Sequence, residues 1–346
     1  MSVTHVPVAV KTKAQQTSSS VQRQRAAYRL ASHVQRQTQD ETPSDAARRR
    51  TPTATRRQLP IVPAGRRIGF HVSIAGGLPE AVPRAVAIGC TAMQIFTQSP
   101  RGGQAPPLTP ALLRMFQARR AAADLQPVAV HASYLINLAS PARTMWQFAL
   151  RKYAEELRRT DTLGADFLVT HVGSTKGRDV TFGIQRVAEA ITTVWRRIQP
   201  RRAMILIENT AGAGQGLGAR LEELRDMLQA IGTRARVGVC LDTAHLFAAG
   251  YPIHTDGGFA ETLQQIEQRI GWERVHLIHL NDSKVPLGAK VDRHWHIGKG
   301  HIGVEGLRRI VRHPRITALP WILETPGETD AEDLCNLRAV LRLLAS

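Results

Sequence analysis

Eight short apolar runs punctuate the chain: IGFHVS (68–73), AMQIFT (92–97), PVAVHA (127–132), DFLVTH (166–171), AMILIEN (203–209), RVGVCLD (236–242), VHLIHL (275–280) and PWILET (320–325). They are rich in Val, Ile and Leu without strict polar alternation, the pattern of strands buried on both faces. Between them lie stretches such as ALLRMFQARRAAADL, MWQFALRKYAEELRRTDTLG and ARLEELRDMLQAIG, whose apolar residues recur at helical spacing and which in two cases end in Gly. Eight alternations of strand and helix over residues 66–346, with no Pro- or Ser-rich linker, predict one (βα)8 TIM barrel of parallel strands. A doubly wound open sheet is the alternative, but it gathers ligands at a single crevice.

Residues 1–65 break the pattern. They are rich in Gln, Ser, Thr, Arg and Ala, with few large apolar side chains after VPVAV. Such a segment cannot bury enough surface to offset the entropy of ordering, so a disordered basic arm is expected ahead of the barrel domain. The formal charge of the chain is +18; residues 1–67 hold 13 Lys or Arg against 3 Asp or Glu, which leaves the barrel basic as well. A basic body favours a polyanionic partner through counterion release.

Hydrophobic residues make up 43% of the chain, yet no apolar run approaches the roughly 20 residues of a membrane span, and no membrane association is expected. The arm's shortage of acidic residues suits a transit peptide. Its first ten residues, however, carry no Arg or Lys, and no apolar signal core follows, so a bacterial-type cytoplasmic location is expected, with organellar targeting the alternative. Cys90, Cys240 and Cys335 lack CxxC spacing and read as buried thiols in a reducing compartment. The protein is expected to be a monomer.

Nine side chains able to bind a divalent cation end the runs or follow them closely: His131, His171, Glu208, Asp242, His245, His279, Asp292, His294 and Glu324. In a closed parallel barrel the carboxyl ends of the strands converge on one mouth, so residues far apart in sequence can share a metal. A lone His at a strand end is usually a hydrogen-bonded core residue. Asp242 and His245, three apart across a strand-to-helix turn, and Asp292 and His294, two apart with one residue between, instead have spacings that let two ligands reach one cation. Carboxylate and imidazole without thiolate select Zn, Mn, Fe or Co, and nine donors exceed one tetrahedral site, implying two or three metals. Such a centre suits phosphoryl hydrolysis on a nucleic acid. It also suits metal-dependent sugar isomerisation or epimerisation, and the fold does not separate the two.

The motifs narrow the choice. HVSIAGG (71–77), HASYLINLASP (131–141), ILIENTAGAGQGLG (205–218), VGVCLDTAHLFAAGY (237–251), HLNDSK (279–284), DRHWHIGKGHIG (292–303) and ILETP (322–326) resemble, in order, the signature blocks of endonuclease IV, the metal-dependent apurinic/apyrimidinic endonuclease family. The resemblance implies a xylose-isomerase-like barrel that hydrolyses the phosphodiester 5′ to an abasic site in double-stranded DNA, leaving a 3′-hydroxyl and a 5′-deoxyribose phosphate. It implies three Zn2+ ions, with Mn2+ as a substitute. His131 and His171 would hold one together with Glu208, which bridges to a second bound by Asp242, His279 and Glu324; His245, Asp292 and His294 would hold the third. Glu208 and Glu324 would act as metal organisers at the catalytic centre, while Arg101, Tyr134 and Leu135 match positions that enter the duplex beside a flipped abasic nucleotide. Departures are modest: HVGST stands at 171–175 where HPGSH is common, HA at 131–132 where HD is frequent, and GKGHIG at 298–303 where GEGNIG is usual, so Lys299 replaces an acid. The glycines at 212, 214, 216 and 218 lack the GK[ST] of a P-loop and read as a tight turn.

Overall fold

The structure, a computed structural model, describes residues 59–100, 105–327 and 329–345. All eight runs form strands that close into a parallel barrel. In chain order the elements are β1 (Ile68–His71), α1 (Ala81–Ile88), β2 (Ala92–Ile95), α2 (Pro110–Ala122), β3 (Val128–His131), α3 (Arg143–Leu163), β4 (Phe167–Thr170), α4 (Val180–Ile198), β5 (Met204–Glu208), α5 (Leu221–Ile231), β6 (Val237–Asp242), α6 (Thr243–Ala249), α7 (Asp256–Arg269) and β7 (Val275–His279). There follow a two-stranded antiparallel hairpin of β8 (Asp282–Ser283) and β9 (His294–Trp295), then α8 (Gly303–Arg312), α9 (Pro314–Thr317), β10 (Trp321–Leu323) and α10 (Asp330–Ala345). The barrel closes where β1 pairs with β10, Gly69 opposite Ile322.

Two apolar clusters hold it together. The larger lies between strands and helices and includes Phe70, Tyr153, Leu157, Val194, Ile205, Leu307 and Trp321. The smaller comprises Ala92, Ala129, Val169, Leu206, Cys240, Leu277 and Ile322, one residue from each barrel strand other than β1. This second cluster fills the barrel interior. β1 contributes Gly69 at that level, where an added Cβ would come within 1.8 Å of the Ala92 carbonyl oxygen, so only glycine lets β1 and β2 approach this closely.

The predicted helices are present as α2, α3 and α5, and Gly164 closes α3 in the left-handed conformation at φ 75°. Leu59 to Gly65, assigned to the arm by composition, are described, and Val62 is partly buried against the core; the rest of the arm lies outside the described residues. Cys90 and Cys240 are buried as expected, with burial pushing the Cys240 thiol up to about 12, but Cys335 is exposed. Its expected burial fails because α10 is an outer helix and turns that position to solvent. Among the described residues no helix is long and apolar enough to cross a membrane.

Candidate metal centre

Because side chains alternate along a strand, the residue two beyond each member of the interior cluster shares its inward face. That rule locates the site. Ala129 is followed by His131, Val169 by His171, Leu206 by Glu208, Cys240 by Asp242, Leu277 by His279 and Ile322 by Glu324. Six of the nine expected donors therefore form a ring directly above the apolar plug. The other three come from loops: His245 from the first turn of α6, Asp292 and His294 from the hairpin.

The donors converge in three overlapping sets: His131, His171 and Glu208; Glu208, Asp242, His279 and Glu324; and Asp242, His245 and His294. Within each, the ligand atoms lie within 4.8 Å of one another. Glu208 faces two sets with different oxygens. Its Oε2 is 3.1 Å from His131 Nε2 and 2.9 Å from His171 Nε2, while its Oε1 is 2.9 Å from His279 Nδ1. Glu324 Oε2 approaches the same His279 nitrogen at 3.2 Å. In the third set His294 Nε2 lies 3.4 Å from Asp242 Oδ2, and Asp292 joins with Oδ1 3.1 Å from His245 Nε2. All nine expected donors are thus brought together.

The histidine ring orientations fit cation binding. His131 donates Nδ1–H to the Ala132 carbonyl (2.8 Å), His245 to that of Asn209 (2.9 Å) and His294 to that of Glu324 (3.1 Å), whereas His279 donates Nε2–H to Gln94 Oε1 (3.0 Å). A carbonyl oxygen can only accept, so each bond places a proton on the bonded nitrogen and turns the opposite one into the centre, the nitrogen that the neutral ring would offer to a cation. Two such nitrogens, Nε2 of His245 and of His294, face each other at 3.3 Å.

Charge in the centre is strongly coupled. Burial disfavours the ionised forms of Glu208 and Glu324, but facing imidazoles outweigh it, His171 and His279 for Glu208 and His279 for Glu324, and hold both carboxyls well below their ordinary range. Burial likewise disfavours a charged His245, yet Asp242, Asp292 and Glu208 raise it well above its ordinary value. His279 is also held well above it, against burial, by the Glu324 and Glu208 carboxylates.

The same alternation places two residues in the ring that reading for ligands alone misses. His71 stands two beyond Gly69, and Gln94 two beyond Ala92. Gln94 is fully buried; besides accepting from His279, its Nε2 donates to Glu324 Oε1 (2.6 Å) and lies 3.1 Å from His71 Nδ1. Also missed are Asn209 and Asn281, in the IEN and HLN motifs. Asn209 brackets the Asp242 backbone, and Asn281 donates to Asp242 Oδ2 (2.6 Å) while accepting from the Glu324 amide (2.8 Å). Asp282 gathers the amides of Ser283, Gly300 and Ile302, tying the 284–301 excursion to the end of β7. Lys299 is exposed on that excursion.

Tyr134 and Leu135 follow β3, and both are exposed, 62% and 42%. Arg101 lies outside the described residues. The glycine-rich segment after β5 is a turn, with Gly212, Gly214 and Gly218 at φ 78°, 62° and 92°.

Comparison with known proteins agrees with this arrangement. A family model described as a xylose isomerase-like TIM barrel matches residues 82–346. Probable endonuclease 4 of Halothermothrix orenii is 41% identical over 274 residues, covering 78% of this chain and 98% of that protein. Its counterpart in Chloroflexus aurantiacus is 43% identical over 279 residues, covering 80% and 98%. The crystal structure of endonuclease IV from Thermus thermophilus aligns with a TM-score of 0.73 and 40% identity over 81% of this chain and 99% of that one. A D-tagatose 3-epimerase-like protein, at 18% identity and TM-score 0.60 over 80% and 97%, shares the fold alone. Identity of this level across nearly the whole length of these relatives shows that the chain belongs to the endonuclease IV family.

Proposed function

We propose that this protein is a DNA-repair hydrolase that cleaves the phosphodiester 5′ to an abasic site in duplex DNA, using three zinc ions held at the barrel mouth. The observation that carries the reading is the division of Glu208 between two donor sets, one oxygen to each, beside a third set that Asp242 joins to the second. A single-cation site has no use for such sharing. In the proposed assignment His131, His171 and Glu208 hold the first ion; Glu208, Asp242, His279 and Glu324 the second; His245, Asp292 and His294 the third. When bound, closely spaced cations activate water near neutral pH and stabilise both the entering and the departing oxygen of an in-line phosphoryl displacement.

The chain's own residues supply the rest. Glu208 and Glu324 offset cation charge and fix spacing. The backbone and amide acceptors behind His131, His245, His279 and His294 keep the imidazoles in the ligating tautomer. Tyr134 and Leu135, exposed beyond β3, would enter a duplex together with Arg101, and their exposure supports that role. Extruding a nucleotide is least costly where base pairing is already lost, which favours an abasic site.

The test offers zinc-loaded protein an abasic-site duplex and, separately, an aldose. Incision at the abasic site with 3′-hydroxyl and 5′-deoxyribose phosphate ends is expected. Sugar isomerisation without incision would overturn the assignment.

A further inference from the structure

α3 buries an acid and a base that neither the donor sets nor the expected DNA contacts use. Glu156 is 2% exposed and Arg159 8%. Burying charge inside a helix-to-barrel interface is costly, and apolar residues of similar volume would stabilise such a contact equally well. What apolar residues cannot do is fix backbone groups at defined positions.

Both side chains reach the loop that follows β2. Glu156 accepts at each oxygen, from Thr97 Oγ1 (2.9 Å) and from Gln98 Nε2 (2.7 Å). Arg159 spreads its guanidinium across the two ends of that loop, donating to the Thr97 carbonyl (2.7 Å) and to the Pro106 carbonyl (2.8 Å). The loop is joined in turn to the one after β3, where Ser133 Oγ donates to the Pro100 carbonyl (2.8 Å). A cavity of about 160 Å³ is lined by residues of both loops, Gln98, Ser133 and Leu135, and by Phe148 and Glu156 of α3. The β3 loop is anchored from below by buried Ile136 and Leu138 and by the Leu138 amide on the Val172 carbonyl (3.0 Å), and the Ser133–Pro100 bond ties its exposed part to the β2 loop.

We infer that Glu156 and Arg159 are positioning residues for DNA recognition: they hold Thr97, Gln98 and Pro106 after β2, and through the Pro100–Ser133 bond they brace the β3 loop that carries Tyr134 and Leu135 in the arrangement that meets a duplex. The inference rests on the proposed function. It concerns binding of the duplex rather than the metals, which no atom of this network touches.

Steady-state incision of an abasic duplex by full-length, zinc-loaded protein tests it, with metal content measured on each sample. Glu156→Gln preserves shape but cannot accept at both positions. It is expected to raise KM about 10-fold with kcat reduced less than about 3-fold, the signature of lost binding with intact chemistry. Ser133→Ala removes the bond between the loops together with the hydroxyl that accepts from the Leu135 amide (3.3 Å), and should raise KM by about 3-fold, less than additively when combined with Glu156→Gln, because both act on the same pair of loops. If Glu156→Gln does not fold, Ser133→Ala carries the test alone. An unchanged KM in the folded variants, or equal loss in kcat and metal content, overturns the inference. Wild-type protein that leaves the abasic duplex intact overturns the function itself and the positioning role with it.

Discussion

Four of the six donors in the ring, His131, Asp242, His279 and Glu324, are held by a neighbour that does not ligate, and two substitutions separate those roles. Glu208→Gln leaves one oxygen able to ligate where the proposed assignment uses two. Elemental analysis should find about two fewer metals per chain, and incision should fall on the order of 100-fold or more. Full metal content with normal incision would show that the carboxylate does not bridge. Gln94→Leu keeps the volume but removes the amide that orients His279 and Glu324. Metal affinity in a chelator competition should fall about 10- to 100-fold, and the unsatisfied His279 N–H should cost about 1–3 kcal/mol in denaturant unfolding. The proposed ligands were legible in the sequence because few residue types bind metals and all fall at run ends or in the loops just beyond. Gln94 was not, since glutamine is not a typical ligand type, and His71 was not, since it stands within its apolar run and reads as a core histidine until the inward face of the strand is known.

At the scale of elements, the strands were readable because burial on both faces selects apolar runs whatever their partners. The hairpin of β8 and β9 was not, because its strands have two residues each and are set by Asp282 rather than by any hydrophobic period. Gly300 belongs to the same device: a Cβ there would come within 2.3 Å of the Ser283 carbonyl oxygen. Asp282→Ala would strand several buried amides, with an expected loss of about 3 kcal/mol or more in urea unfolding. It should also displace Asp292 and His294, so one metal of three is lost while the other two stay. Uniform loss of all three would show that the hairpin does not organise the third set separately.

Across the whole molecule, the apolar clusters do not depend on cations, so chelation should abolish incision yet leave the helical circular dichroism intact. The metal-free centre is then held by imidazolium–carboxylate pairing. His245 and His279 are raised above their ordinary 6.5, so their contribution is fully present below that pH and is lost as pH rises through the raised values. The thermal midpoint of the metal-free protein should therefore fall as pH increases above about 6.5, whereas metal-loaded protein should show a much flatter profile. Parallel profiles would contradict this. The basic arm acts at the same scale. Since Val62 packs on the core, a clean truncation removes residues 1–58 and no more. For every phosphate that the arm neutralises, truncation should flatten the slope of log affinity against log salt by about 0.9; superimposable titrations would remove the arm from DNA binding.

The sequence by itself determined the barrel, the order of its strands and the identity of the candidate donors. Strand burial and ligand chemistry are local properties, written in hydrophobicity and residue type at each run. Only the tertiary structure decided how the donors are shared: that Glu208 turns one oxygen to His131 and His171 and the other to His279, and that Asp242 lies between the second and third sets. The same holds for the buried link from α3 to the β2 loop, whose partners Thr97 and Arg159 lie 62 residues apart. Such pairings depend on where barrel closure places each strand end and on which rotamer its neighbours allow. Those are long-range conditions that no run of residues contains.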